Sequence, residues 1–382
     1  MTTTKKNIQY TPVINHLRAY AAILVLFYHS VARIRGKLLP PNDQNWPIAH
    51  DPFMALIYEG HTGAAMHIVL IGFTLTYGSI GKNINYLLFI RDRISHIYPL
   101  MMTITFVGIS MFPEKFTITG FICTVLPFQN TSLALQLGSF TFIFWTIAVE
   151  FQFYLIFPLL HKLLVDKGLF TVLPMLFLTM IIRVGGVLHG ANPRDFSYWT
   201  IIGRLDQFII GMMFAIVMKN CSIESRRLRW GGLIGGLGLL LALFIFNRLG
   251  GWPVVSPWKI IWPPIEGLLW GATIVGYISF MHEKDNFVLR LIGNVGTISY
   301  SIFLAHQDMV YVMIDRSFYL IWFKNVDLNC LFATIVPILP TTISICCLAY
   351  YLVEKPFLEL RKSYIEPVTI KNTELNEIPT NP

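Results

Sequence analysis

The chain has 382 residues, of which 54% are hydrophobic and only 13% charged; 29 Lys+Arg against 21 Asp+Glu give a formal net charge of +8. Such a composition lies outside the range of soluble domains and excludes water as the main solvent. The positive surplus does not read as nucleic-acid binding, because the basic residues fall between apolar runs, where membrane topology accounts for them.

A bilayer core of roughly 30 Å takes about 20 apolar residues per helix. Runs such as 172–182 and 331–351 are largely apolar on every face, unlike the alternating strands of a β-barrel, so the expected fold is an all-α polytopic membrane bundle. In chain order the predicted spans are 12–32, 53–78, 96–112, 141–161, 168–188, 201–218, 231–247, 260–281, 291–314 and 329–353, about ten in all. The segment 116–128 is apolar but short and holds Pro127, which suits a re-entrant or interfacial piece better than an eleventh span. Lys5 and Lys6 precede the first apolar run as in a signal peptide, yet that run contains Arg18 and His29 and lacks a convincing cleavage site, so it reads as a retained helix. Residues 1–362 are expected to form one membrane domain, and the polar segment 363–382, with three prolines, a disordered cytoplasmic tail. The five cysteines show no metal-ligand or disulfide-framework spacing, and no metal site is expected.

Ten spans put both termini on one side. Lys5, Lys6, Lys82, Arg91, Arg93, Lys219, Arg226, Arg227, Arg229, Lys355, Arg361 and Lys362 all fall on that side, which the positive-inside rule makes cytoplasmic. Arg33, Arg35, Lys37, Arg194 and Arg248 fall opposite, so the bias is real without being absolute.

Ionisable side chains inside a span cost several kcal/mol unless paired or hydrated, and each is therefore a functional candidate. Arg18 and His29 are eleven residues apart. That spacing is about three helical turns, which sets both on one face about 16 Å apart along the axis. Glu150 and Tyr154 share a face of the fourth span, where a carboxylate could orient or activate a histidine. Arg91 and Arg93, in the stretch FIRDRISHIYPL before the third predicted span, suit the phosphates of a nucleotide-containing donor arriving from the cytosol. His67, Arg183, Arg204, Asp206, Glu266 and His306 are less sharply placed, and Arg204 and Asp206 are expected to pair with each other at the interface.

Several separated segments, in order, resemble those of the membrane-bound acyltransferase family 3: INHLRAYAAILVLFYHS, FIRDRISHIYPL, FWTIAVEFQFYLIFPLL, RLDQFIIGMMFA, SYSIFLAHQ and YLVEKPFLELR, together spanning residues 14–361. The resemblance implies an integral membrane O-acyltransferase that moves an acyl group, most commonly acetyl from acetyl-CoA, to a hydroxyl of a cell-surface carbohydrate such as lipopolysaccharide O-antigen, capsule or exopolysaccharide. It implies His29 as the essential histidine, Arg18 as its paired arginine, Arg93 as the first arginine of the donor-side motif and Glu150 as the acidic position; Arg91 is a further donor contact. An acyl-CoA donor, a finished or lipid-linked carbohydrate acceptor and a multi-pass place in the inner (plasma) membrane follow from the same resemblance, with membrane lipids and no nucleic acid as surroundings. His96 stands where the family has a second donor-side arginine, Asn15 and His16 where it has aspartate and glycine, and Ile71 where a serine is usual. From the buried charges alone, the alternative is a multi-span transporter or lipid-linked sugar flippase that uses them as a conduction path.

Overall fold

A backbone without water must satisfy its own N–H and C=O groups, so apolar stretches of this length fold as helices. The computed structural model describes residues 12–40, 46–316 and 321–367. There the chain is an all-α bundle with two three-residue strands. Helix α1 (Pro12–Leu38) opens on a proline, whose missing N–H costs nothing in a first turn. Asp51 caps α2 (Pro52–Tyr58), accepting from the N–H groups of Phe53 and Met54, and α3 (Thr62–Ser79) follows across a bend of 82°. After strand β1 (Lys82–Ile84), Asn85 caps the 26-residue α4 (Tyr86–Met111). Helix α5 (Ile118–Val125) has eight residues, too short to cross a bilayer, in keeping with the re-entrant or interfacial reading. Helices α6 (Ser139–Phe142) and α7 (Phe144–Lys167) together make one span.

The second half continues with α8 (Leu173–Leu188), the short α9 (Pro193–Trp199) capped by Asn192, and α10 (Ile201–Lys219) capped by Thr200. Helices α11 (Arg226–Arg248) and α12 (Trp262–Met281) form an antiparallel pair. Helices α13 (Phe287–Thr297) and α14 (Ser299–Asp315) meet at 73°. The last span, Val326–Glu359, contains α15 (Val326–Ala333), α16 (Leu339–Ala349) and α17 (Lys355–Glu359), joined by two π-helical turns, one around Pro337 and one at Tyr350–Glu354. Among the described residues eight helices are long and apolar enough to span, or ten if each bent pair counts once, in agreement with the ten spans expected.

Exposed Phe177, Ile181 and Leu188 on α8 and Ile234, Leu237 and Leu241 on α11 supply the apolar outer surface that lipid requires. Inside, small residues let helices touch. A Cβ on Gly211 of α10 would lie 2.1 Å from the Val69 carbonyl oxygen of α3, and one on Gly72 2.2 Å from that of Phe208, so this contact is backbone against backbone.

Three boundaries differ from expectation. The stretch FIRDRISHIYPL is helical, because α4 begins at Tyr86 and carries Arg91, Arg93 and His96 on its early turns. Arg33, Arg35 and Lys37, expected in a loop, lie in the last turns of α1, where Arg33 bonds both Asp315 oxygens at 2.6 and 2.9 Å and Arg35 pairs with Asp327. The expected tail does not begin at 363: Tyr364 is fully buried, and β2 (Ile365–Pro367) pairs antiparallel with β1. The rest of that tail, 368–382, and Lys5 and Lys6 lie outside the described residues.

Candidate active site

Helix α1 carries Arg18 toward one end of the bundle and His29 toward the other. His29 lies on the wall of a cavity with about 460 Å³ of atom-free space, its open mouth included. Tyr28 from α1, His61 from the bend between α2 and α3, Phe142 and Trp145 from α6 and α7, Tyr198 and Trp199 from α9, Trp252 and Phe303 complete most of the wall. Trp145, Tyr198, Trp199 and Trp252 pack on one another with ring centroids 4.1 to 6.1 Å apart. Such a box presents flat apolar faces and few polar atoms.

Three imidazoles gather here. The ring of His29 is 5.2 Å from that of His306 and 4.9 Å from that of Tyr28, which in turn is 5.5 Å from His61. His306 Nδ1 donates to the carbonyls of Phe303 and Ile302 at 2.8 and 3.1 Å, and its Nε2 is buried without a partner among the described residues. Because carbonyls only accept, Nδ1 holds the proton and Nε2 the lone pair. His61 Nε2 donates to Glu59 at 3.0 Å, which by the same logic leaves Nδ1 as an unpartnered acceptor.

Glu59 is completely buried and takes four hydrogen bonds: from Trp46 Nε1 at 2.7 Å, Asn247 Nδ2 at 2.8 Å, His61 Nε2 at 3.0 Å and the Trp252 N–H at 3.2 Å. Four donors meet the capacity of one carboxylate, so its negative charge is held by the protein and the tautomer of His61 with it. Neither Glu59 nor His61 is among the residues expected from the sequence. Their signal was a glycine-containing break, YEGHTG, inside an otherwise apolar span, the pattern of a discontinuous membrane helix whose bend lines a polar cavity.

Glu150, set beside His29 on sequence grounds as its orienting carboxylate, is placed differently. It meets His67 Nε2 at 3.5 Å and accepts from the Tyr154 hydroxyl. His67 stacks on Phe303 with centroids 5.4 Å apart, and Phe303 is in the cavity wall, so Glu150 is linked to the His29 cavity through these two rings. Its partner is set by α3, which packs His67 against α7.

At the Arg18 end the charges cluster again. Arg93 pairs with Asp92, and the rings of Phe89, Tyr154 and Tyr364 surround its guanidinium at 5.4 to 5.7 Å. Arg361 Nε reaches Asp92 at 3.5 Å, and Glu354, buried by its π turn, accepts from Ser301 at 2.9 Å and faces His96 at 3.7 Å. Arg18, Arg93 and Arg361 all act electrostatically on His96. Arg91 is exposed on the opposite side of its helix turn. Of the residues expected at the donor end, Arg18 and Arg93 therefore share a charged neighbourhood, and Arg91 stands apart from it. Arg204 and Asp206 do not pair with each other: Asp206 meets Arg183 at 2.5 Å, while Arg204 bonds Gln207 at 3.0 Å and faces Glu266 at 3.8 Å. Two residues along an α-helix turn the side chain by about 200°, so positions 204 and 206 point to different neighbours.

A polytopic all-α membrane protein with charged groups at one end of its first helix and an imidazole-lined aromatic cavity at the other is the class that fold and site define. The family model described as an acyltransferase domain matches residues 12–354, and the chain belongs to this membrane-bound acyltransferase family 3. No curated protein and no solved structure matches it. It is thus an O-acyltransferase built within a multi-pass membrane bundle.

Proposed function

We propose that this acyltransferase moves an acetyl group from acetyl-CoA to a hydroxyl of a cell-surface carbohydrate, in the plasma (inner) membrane and with both termini cytoplasmic. The observation that carries the reading is the placement of His29 on the wall of an aromatic cavity, eleven residues along one helix from Arg18. The acceptor sugar lies against Trp145, Trp199 and Trp252 with its hydroxyl toward His29. The CoA part stays at the Arg18 and Arg93 end, where guanidinium groups suit its phosphates, and Arg91 adds a contact from the exposed face of α4. The pantetheine arm spans the distance between the two ends.

His29 is half-buried, and no other described residue hydrogen-bonds to it, so one ring nitrogen is available to substrate. As general base it takes the proton of the acceptor hydroxyl while that oxygen attacks the thioester carbonyl. The C–S bond then breaks and the CoA thiolate leaves, accepting a proton. An acyl-imidazole on the same nitrogen gives the same products in two steps. Glu150 supports this from a distance, by holding His67 and Tyr154 along the route between the ends.

The test supplies labelled acetyl-CoA to membranes containing the full chain and follows label into glycan. Wild type transfers label. His29→Ala, inserted and abundant, is expected to lose at least about a hundredfold in rate, the scale of a positioned general base. Wild-type transfer by that variant overturns the assignment, and glycan movement without label overturns the activity.

A further inference from the structure

Beside the His29 cavity lies a second one that the reaction above does not use. The two share His61, Tyr198 and Trp252 as a common wall, and the second has about 290 Å³ of atom-free space, its open mouth included. Its other side carries Arg194, Arg204 and Lys259, and Glu266 is the one carboxylate among the described lining residues.

The balance of donors and acceptors in this wall is uneven. The acids are committed: Glu59, behind His61, accepts its four bonds; Glu266 accepts from Thr62 and Gln207 at 2.6 and 3.0 Å; Asp195 accepts from Arg194 at 2.7 Å and Trp199 at 3.3 Å. The donors are not. Arg204 Nη2, Trp262 Nε1 and Ser197 Oγ are each buried with no partner among the described residues, and the Arg204 and Ser197 side chains are almost wholly buried. Lys259 Nζ gives two bonds of 2.7 Å to the carbonyls of Gly251 and Trp252, which leaves one of its three N–H groups unused. Gly251 holds that carbonyl there in a left-handed turn (φ +61°), where a Cβ would strike Glu59 and Trp46 at 2.4 Å.

We propose that this second cavity binds an anionic oxygen group, a carboxylate or a phosphate, carried by the sugar next to the one that is acylated. The inference rests on the carbohydrate-acceptor reading and deepens it: the acceptor is an acidic glycan. A neutral hydroxyl satisfies one or two donors, whereas a carboxylate or phosphate offers two or three oxygens to a guanidinium, an ammonium, an indole and a hydroxyl together. The shared wall sets the spacing, since a sugar stacked on one face of Trp252 and Tyr198 has its neighbour on the other side of the same rings.

Calorimetry on the full chain in lipid nanodiscs tests it with three ligands: a disaccharide bearing a uronic acid, the same disaccharide reduced at the carboxyl, and one bearing a phosphate monoester. At least one acidic sugar is expected to bind about tenfold or more tighter than the neutral one, and which of the two does so identifies the source of the charge. In Lys259→Gln that margin is expected to collapse while the affinity for the neutral sugar holds. Equal binding of all three by wild type, a comparison that needs no variant, overturns the acidic-acceptor inference alone. Retention of the margin in Lys259→Gln overturns the site. Binding of none overturns the carbohydrate reading itself.

Discussion

Replacing Glu59 by glutamine keeps its shape but turns one acceptor oxygen into an N–H₂ donor. Trp46, Asn247, His61 and the Trp252 amide all donate to that carboxylate, so an amide necessarily sets its N–H₂ against at least one of them. A buried donor left facing a donor costs about 1–3 kcal/mol. Glu59→Gln is therefore expected to lower the melting temperature in detergent and to slow acyl transfer, because His61 loses its fixed tautomer; an unchanged melting curve sinks this account. Lys259 provides a pH dependence. Burial pushes its pKa down to about 8, with Glu59 and Asp195 pulling it up and Arg194 pushing it further down. The free protein thus holds the ammonium below about pH 8 and the neutral amine above it. A bound anion favours the ammonium, so the dissociation constant for the uronic-acid sugar, whose own charge is fixed at neutral pH, is expected to be flat from neutral pH to about pH 8 and to rise by up to about tenfold per unit above it. A flat profile to pH 9.5 in calorimetry excludes Lys259 as the anion's partner. At this scale the placement of Arg18 and His29 along one helix was legible, because two polar residues at helical spacing stand out in an apolar run. Glu59 and His61 were not, because they sit two apart at a bend, where no helical period applies. The partner of Glu150 was not legible either, since pairing between α7 and α3 depends on how the helices rotate against each other.

Between elements, the tightest crossings are made by glycine, and α11 supplies its own control. A Cβ on Gly232 would lie 2.3 Å from the Cα of Gly276 on α12, and a Cβ on Gly276 2.2 Å from that of Gly232, so the two helices touch backbone to backbone. The neighbouring Gly231 has nothing within 4 Å of the same position. Gly232→Ala is expected to force the pair apart and lower the melting temperature markedly, while Gly231→Ala is neutral or stabilises by up to about 1 kcal/mol through helix propensity. Equal effects at the two sites would falsify the crossing. Span number and order were readable from hydropathy because backbone satisfaction in lipid leaves helices as the solution for long apolar runs. The bends of 82° and 73° were not, since each half remains apolar and only a Gly-His-Thr-Gly or Gly-Thr-Ile-Ser interruption marks them. The burial of Tyr364 was also hidden, because a polar, proline-containing tail gives no sign that its first residues pair with β1 and close over Arg93.

Across the whole molecule, charge asymmetry predicts an orientation that a native thiol can report. Cys221 is exposed in the loop between α10 and α11, beside Lys219, Arg226, Arg227 and Arg229, the most basic connection in the chain. By the positive-inside rule that loop is expected in the cytoplasm, on the side of Arg18 and Arg93 and away from the His29 cavity. The remaining cysteines are buried or half-buried: Cys330 and Cys346 lie in the core, and Cys123 and Cys347 are partly covered. A membrane-impermeant maleimide is therefore expected to leave Cys221 unmodified in intact cells and to label it in inside-out vesicles, with Cys221→Ser abolishing the vesicle signal. Labelling in intact cells would invert the whole arrangement, because the charged end of α1, the proposed donor end, would then face away from the cytosol. The orientation and the proposed direction of acyl transfer stand together, since the proposed cytosolic donor and external acceptor would require the two ends of α1 to open to opposite sides.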